Sequence, residues 1–237
     1  MRINVGTRPP CNAAKRARGG NFPLAIRPPF PKSLARQAMK KTVHLLALLL
    51  AALCLSASSA WALPTVVIDA GHGGHDRGGV PGDRYSEKIY TLDVAKRLEA
   101  RLRAAGYRTV MTRRGDYFVS LGARCGIANS QRNAIFVSIH FNSATREGAN
   151  GIETYYYSRQ SGRLASAIHS RVLRAAGTEN RNVRSRGFYV LRNTRIPAVL
   201  VECGFLTNRA EGGRIAGSAA HRQRLADAVA SAIRSVY

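Results

Sequence analysis

Four side chains, two histidines and two glutamates, stand where they could bind and use a metal ion. His72 follows the apolar run Thr65–Ala70, His140 ends a second apolar run, Glu87 follows a glycine-rich stretch, and Glu202 lies in a third run. Two histidines and one carboxylate are a known ligand set for catalytic zinc, which keeps one position for water and lowers the pKa of that water to about 7. A further carboxylate can take the proton and pass it to a leaving nitrogen, so the set indicates amide hydrolysis.

Each of these residues also has a structural explanation when it is considered alone. A histidine after a strand often serves only in a hydrogen bond, and Glu87 suits the positive end of a helix dipole. Glu202 is harder to explain in this way, because it lies within the apolar run Ala198–Cys203, where an unpaired charge is costly to bury. The four residues together therefore favour a metal site more strongly than any one of them.

Alternating strands and helices must bring these residues together. Apolar runs bounded by turn residues predict strands at 65–70, 107–112, 134–140, 151–157, 187–191 and 198–203. Helical spacing predicts helices at 86–105, with Ser86 as the cap, and at 121–130, 161–176 and 217–236. This order predicts an α/β domain, with helices on both faces of a mostly parallel sheet. Sites in such sheets lie beyond the carboxyl ends of strands, where His72 and His140 fall.

A basic and apolar leader precedes the predicted domain. Lys40 and Lys41 come before the apolar run Val43–Leu55, and residues 60–62, Ala-Trp-Ala, form a small-x-small cleavage site. This is the pattern of a secretory signal peptide, and the run is shorter than the about 20 residues that span a bilayer. We expect an exported protein of the periplasm or the cell wall, without a membrane anchor after processing. A retained N-terminal anchor is the alternative.

The domain boundaries follow from composition. Residues 1–38 hold eight Lys or Arg, no acidic residue and several prolines, and such a stretch cannot bury enough apolar surface to fold. We predict that translation starts at Met39, that residues 1–62 are a leader, and that residues 63–237 form one catalytic domain.

The charge of the predicted domain indicates an anionic partner. Ten of the 37 Lys and Arg lie in residues 1–62 without any acidic residue, which leaves 27 basic and 13 acidic residues and a net charge of +14. A basic surface attracts polyanions over long distances. Nucleic acid is disfavoured, because export is expected and basic residues are not interleaved with aromatic ones. A cell-wall polymer fits better, and solvated surface arginine is the simpler alternative.

Several cysteine, histidine and aspartate side chains lie outside this set. Cys125 and Cys203 could form a disulfide in an exported domain, but two buried thiols are favoured. His75 is expected in a loop, and His169 and His221 on the surface of helices. Asp69 could orient His72 through a hydrogen bond or satisfy backbone groups.

Four ordered motifs resemble those of the zinc-dependent N-acetylmuramoyl-L-alanine amidases of the family-3 type. They are Val67–Gly74 (VIDAGHGG), Glu87, Ser138–Asn142 (SIHFN) and Val201–Asn208 (VECGFLTN). The resemblance spans about residues 64–237, and four motifs at compatible spacings are far more specific than any one of them.

The resemblance implies that His72, Glu87 and His140 bind one zinc ion and that Glu202 is the catalytic carboxylate. It also implies a single α/β domain with a mixed, mostly parallel sheet. The expected substrate is peptidoglycan, cut at the amide between N-acetylmuramic acid and the L-alanine of the stem peptide. Asn142 is a weaker candidate for a substrate contact.

The resemblance bears on partners as well. Some relatives carry an inserted helix that blocks the zinc until a partner removes it, whereas residues 143–163 resemble the uninterrupted version. We therefore expect that no obligate activator is needed, and we also expect a monomer. A zinc hydrolase that cuts between stem-peptide residues and a non-catalytic wall-binding module remain the alternatives.

Overall fold

The computed structural model describes residues 36–37, 39–47, 63–79, 84–146 and 148–237. The chain divides into two units, residues 1–60 and 61–237. In the first unit, the described residues are helical. The predicted cleavage site at 60–62 and most of the apolar run at 43–55 lie outside the described residues. No described helix combines the length and the apolar character that a membrane crossing requires.

The second unit is built around one six-stranded sheet. Its strands are β1 (Thr65–Ala70), β2 (Thr109–Met111), β3 (Ala134–Asn142), β4 (Ile152–Tyr156), β5 (Asn180–Ser185) and β6 (Ala198–Phe205). They lie in the order β2-β1-β3-β6-β4-β5. Strands β2, β1, β3 and β6 are parallel, whereas β4 is antiparallel to β6 and parallel to β5. The mixed, mostly parallel sheet is confirmed.

Helices cover both faces of this sheet, as predicted. They are α1 (Glu87–Ala104), α2 (Leu121–Asn129), α3 (Gly162–Ala176), α4 (Tyr189–Arg192), α5 (Arg209–Gly217) and α6 (Ala219–Val236). Ser86 precedes α1 but makes no capping bond with its side chain, whereas the Ser120 hydroxyl accepts a bond from the Ala123 amide at the start of α2.

The two faces of the sheet are covered unequally. On β1, Val66, Ile68 and Ala70 belong to a cluster of 30 buried residues that includes the inner sides of α1, α3 and α6. Val67 points the other way, into a cluster of nine buried residues that includes parts of α2 and α4. We call the first side the helical face and the second the cleft face.

Two predicted elements differ from the structure. The strand predicted at 187–191 is wrong, because residues 189–192 form the short helix α4. A short apolar run fits a buried strand or one helical turn equally well, and period alone cannot separate them. The structure has another strand, β5, that was not predicted. Its sequence NRNVRS contains only one apolar residue, because a strand at the edge of the sheet can remain polar.

The helix predicted at 217–236 corresponds to α6, whereas the helix α5 before it was not predicted. Asn208 accepts bonds from the amides of Ala210 and Glu211 and so starts α5, and Ser218 accepts from the His221 amide and starts α6. Each of the two helices therefore begins at its own polar cap.

The prediction that His169 and His221 lie on the surface is also wrong, because both are buried. His169 contacts Thr154 Oγ1 at 3.1 Å and Asn180 Oδ1 at 2.9 Å, and so joins α3 to β4 and β5. Burial, together with the charges of nearby arginines, lowers the pKa of His221 to about 4. Cys125 and Cys203 are free and buried, as favoured from the sequence.

Candidate metal centre

Neighbouring strands place three polar side chains in a row on the cleft face. His140 on β3 is the register partner of Glu202 on β6, and Glu202 lies opposite Glu153 on β4. The adjacent residues Ile139 and Val201 belong to the helical-face cluster, so His140 and Glu202 point to the opposite side.

The side chains of His72, Glu87 and His140 converge beside this row. One ligand atom of each lies within 4.8 Å of those of the other two. Glu87 Oε2 lies 3.0 Å from His72 Nε2, and Glu87 Oε1 lies 2.9 Å from His140 Nδ1. The structure therefore brings together the three residues that the sequence nominated as metal ligands.

Glu87 is fixed as an anion at the start of α1. Its Oε1 accepts a bond from the Phe141 amide at 2.9 Å, and its Oε2 accepts from the Gly79 amide at 3.1 Å. Burial alone would raise the pKa of Glu87, but the hydrogen bonds and charges of His140 and His72 lower it to about 2. Both oxygens are thereby held towards the two imidazoles.

His72 is oriented by a carboxylate that the sequence analysis missed. Its backbone has a φ of 61°, in the left-handed region, within a turn closed by Gly73 and Asp76. Both Asp76 carboxylate oxygens lie 2.9 Å from His72 Nδ1, which leaves Nε2 for a metal ion. Burial would lower the pKa of His72, but Glu87 and Asp76 outweigh it and raise that pKa. The signal in the sequence was an acid four residues after a candidate ligand.

Two glycines make room for the three ligands. A Cβ at Gly71 would overlap the imidazole ring of His140, and a Cβ at Gly78 would overlap the Glu87 carboxylate. Gly78 also has a φ of +70°, which side chains rarely adopt. The glycine-rich loop is therefore required by the packing of the site.

Two buried arginines hold the loop that carries His72. Asp69 makes no bond to His72; it accepts from Thr112, Ser138 and Arg124 at 2.7 Å each. Arg124 in turn donates to the Ala70 carbonyl at 2.6 Å and the His72 carbonyl at 2.7 Å. Asp69 thus supports His72 through Arg124, which corrects the direct bond considered from the sequence.

Arg113 is the second of these arginines and is fully buried. It donates to the carbonyl oxygens of Ala70 at 2.9 Å, Gly71 at 2.8 Å and Lys88 at 2.8 Å. It therefore ties the end of β1 to the first turn of α1, where Glu87 lies.

Glu202 lines the site from β6. The residue is half-buried, and its Oε2 is buried without a hydrogen-bond partner among the described residues. Burial, with the charges of Glu87 and Glu153, raises the pKa of Glu202 well above its ordinary value. An orphaned carboxylate oxygen beside two imidazoles and a carboxylate is the environment expected next to a divalent cation. The donor set, two nitrogens and one oxygen, fits zinc.

A cavity of about 640 Å³ opens over these residues. The proposed ligands and Glu202 line it, together with Phe118, Val119, Leu121 and residues 188–190. Its size suits a ligand larger than a single ion and water.

The model of the family described as "N-acetylmuramoyl-L-alanine amidase" matches residues 66–235. The chain belongs to this amidase family. Members of the family are generally metal-dependent, and His72, Glu87 and His140 could hold an ion.

Relatives of this amidase differ in length. It is 39% identical over 177 residues to YqiI of Bacillus subtilis, a protein of uncharacterized function, and the match covers 73% of this chain and 84% of YqiI. It is 36% identical to the N-acetylmuramoyl-L-alanine amidase LytC of Bacillus subtilis, where the match covers 73% of this chain but only 35% of LytC. The solved catalytic domain of the amidase CwlV from Bacillus (Paenibacillus) polymyxa is 35% identical, with a TM-score of 0.69, and the match covers 73% of this chain and 97% of that domain.

Asn142 and Glu153 complete this side of the amidase cleft. The side-chain nitrogen of Asn142 donates to Glu153 Oε2 at 2.6 Å, and Asn142 Oδ1 accepts from the backbone amide of Ser143 at 2.8 Å. Asn142 lines the cavity, and its contact with substrate stays a prediction. Sequence reasoning missed Glu153, although a carboxylate in an apolar strand is the signal that drew attention to Glu202.

Proposed function

We propose that this chain hydrolyses the amide between N-acetylmuramic acid and the L-alanine of the stem peptide in peptidoglycan, with one zinc ion held by His72, Glu87 and His140. The observation that carries the proposal is the convergence of these three ligands beside the orphaned Glu202 carboxylate, in a chain of the amidase family. A zinc ion bound there would supply Lewis acidity and make water more acidic.

The residues of the chain account for the remaining chemistry. Asp76 holds the His72 ring so that Nε2 faces Glu87. Glu202 takes the proton from the attacking water and delivers it to the leaving nitrogen of L-alanine. Burial and the charges of Glu87 and Glu153 raise the pKa of this carboxylate above its ordinary value, which suits it to take up and release a proton.

The products of digestion test this proposal. Purified protein loaded with zinc is incubated with peptidoglycan, and the products are identified by mass spectrometry. We expect free stem peptides that begin with L-alanine, together with peptide-free glycan. Shortened peptides still attached to muramic acid would instead indicate a hydrolase that cuts between stem-peptide residues. Zinc binding without any product would indicate a non-catalytic wall-binding module.

Replacement of Glu202 tests its role separately from metal binding. We expect Glu202→Gln to retain zinc and to lose activity by about 10²–10⁴-fold, the usual contribution of a general acid–base group. Zinc content by mass spectrometry and product release are the measurements. Glu179→Gln makes the same change at an exposed glutamate and should leave both unchanged. Loss of zinc along with activity would place Glu202 among the ligands instead.

The cellular setting of the enzyme is part of the proposal. We expect an exported monomer that acts on the cell wall without an obligate activator, drawn to anionic wall polymer by the net charge of +14 over residues 63–237. Inactivity of the purified protein on intact sacculi until a partner protein is added would contradict this expectation.

A further inference from the structure

Four large apolar side chains line one wall of the cavity and remain exposed. They are Phe118, Leu121, Phe188 and Tyr189, between 43% and 53% exposed, and we call them the aromatic wall. Exposed apolar groups gathered in one cavity mark a binding surface, whereas scattered ones need no explanation. His140 and Glu202 line the same cavity.

The aromatic wall is held in place at both ends. The Phe188 ring packs edge-to-face on Tyr155 at 4.9 Å, and the Tyr155 hydroxyl donates to Glu153 Oε2 at 2.9 Å. At the other end, the Phe118 ring lies 4.3 Å from the ring of His75. A surface that is already fixed loses little conformational entropy when a ligand binds to it.

The wall carries no charge, and its character suits a sugar better than a peptide with free carboxylates. A pyranose ring presents apolar C–H faces and neutral hydroxyl groups. Aromatic side chains offer a flat apolar surface, and Tyr189 adds a hydroxyl for hydrogen bonding.

The cationic groups lie on the far side of Glu202 from His140 in the order of the strands. Strand β5 carries Arg181 and Arg184, and exposed Arg186 follows it. Arg181 Nε lies 3.2 Å from Glu153 Oε1, and an Arg184 nitrogen lies 3.7 Å from the same atom. Glu153 on β4 is the register partner of Glu202 on β6, and β5 lies next to β4. Glu202 therefore lies between His140 and these arginines in the order of the strands. The stem peptide, which carries carboxylates, is the part of the substrate that suits them.

We propose that the aromatic wall binds the sugar ring of the muramic acid, while the arginines of β5 bind the stem peptide. The assignment rests on the proposed function and adds which surface binds each part of the substrate.

Two compounds that share the scissile amide separate the sugar from the peptide. The first is a disaccharide-peptide, and the second is the same stem peptide capped by a lactoyl group, without any sugar. The KM for hydrolysis of the first and the inhibition constant of the second against that hydrolysis are measured for zinc-loaded wild type, Phe188→Ala and Tyr189→Ala. Tyr237→Ala is the control, because Tyr237 is 43% exposed but ends α6 outside the cavity.

We expect each wall variant to raise the KM for the disaccharide-peptide about tenfold, and to change the inhibition constant of the lactoyl peptide less than about twofold. The Tyr237→Ala protein should match wild type in both. Equal weakening of both compounds, or of neither, would overturn the assignment while the amidase activity stands. Wild-type protein that leaves the disaccharide-peptide uncut would overturn the proposed function itself.

Discussion

The helical face and the cleft face of the same sheet are stabilised in different ways. The helical face buries 30 clustered residues, nearly all aliphatic or aromatic, beneath α1, α3 and α6. The cleft face has a cluster of nine, and beside the site it relies on buried charged residues, among them Asp69 and Arg124. The difference indicates that one face supplies stability while the other fixes the positions of reactive groups.

The buried arginines provide hydrogen bonds to the backbone at the end of β1, which apolar packing cannot provide. The carbonyl groups of Ala70, Gly71 and His72 turn away from the ladder and need donors. Arg113 and Arg124 supply those donors in fixed directions. Burying charge costs free energy unless each group is paired, so this part of the protein depends on every member of the network.

The largest effect on folding should follow from breaking that network at Asp69. We expect Asp69→Asn to lower the free energy of unfolding by about 3–5 kcal/mol, because the charge of buried Arg124 loses its partner. Urea denaturation measures this loss. Asp227→Asn, which breaks an exposed pair with Arg101, should have a far smaller effect.

The stability that the Asp69–Arg124 pair contributes should also depend on pH. Burial alone would raise the pKa of Asp69, but the Arg124 charge and bonds from Ser138, Thr112 and Arg124 hold it below its ordinary value. Its contribution to stability is therefore present above about pH 4 and is lost as the pH falls through the lower native pKa. The gap between wild type and Asp69→Asn should narrow in acid; a gap that stays constant would contradict the role given to this ion pair.

A smaller loss of stability, without loss of chemistry, is expected on the helical face. Leu98→Ala in α1 should lower the free energy of unfolding by about 3 kcal/mol, because it leaves a cavity in a fully buried cluster. Activity per folded molecule should not change, since Leu98 faces away from the cleft. Ile89→Ala, on the exposed side of the same helix, is the control for stability. A fall in specific activity for Leu98→Ala would show that the two faces are coupled.

The smallest effect is expected for a change at Asp76, whose carboxylate contacts the His72 ring. Asp76→Asn should weaken zinc binding by about 10–100-fold, the usual cost of losing a partner that orients a ligand, with little change in the stability of the metal-free protein. Competition with a zinc-binding dye measures the affinity. Unchanged affinity would mean that the turn alone orients the imidazole.

The sequence predicted the helical face better than the details of the cleft. Strands β1, β3 and β6 lie in apolar runs of the sequence, and these runs were enough to place His72 and His140 at the carboxyl ends of strands. The roles of Asp76, Arg113 and Arg124 could not be read in this way, because their bonds depend on how the chain turns after β1. Strand β5 was missed because an edge strand needs few apolar residues. His169 was misplaced because its polar partners come from other elements.

Zinc titration of metal-stripped protein tests the central claim most directly. We expect amidase activity to rise in proportion to added zinc and to level off at one equivalent per chain. Replacement of His72, Glu87 or His140 should weaken zinc affinity by more than about 100-fold, beyond the cost of losing an orienting partner. Full activity without metal, or zinc binding that survives replacement of all three ligands, would contradict the account.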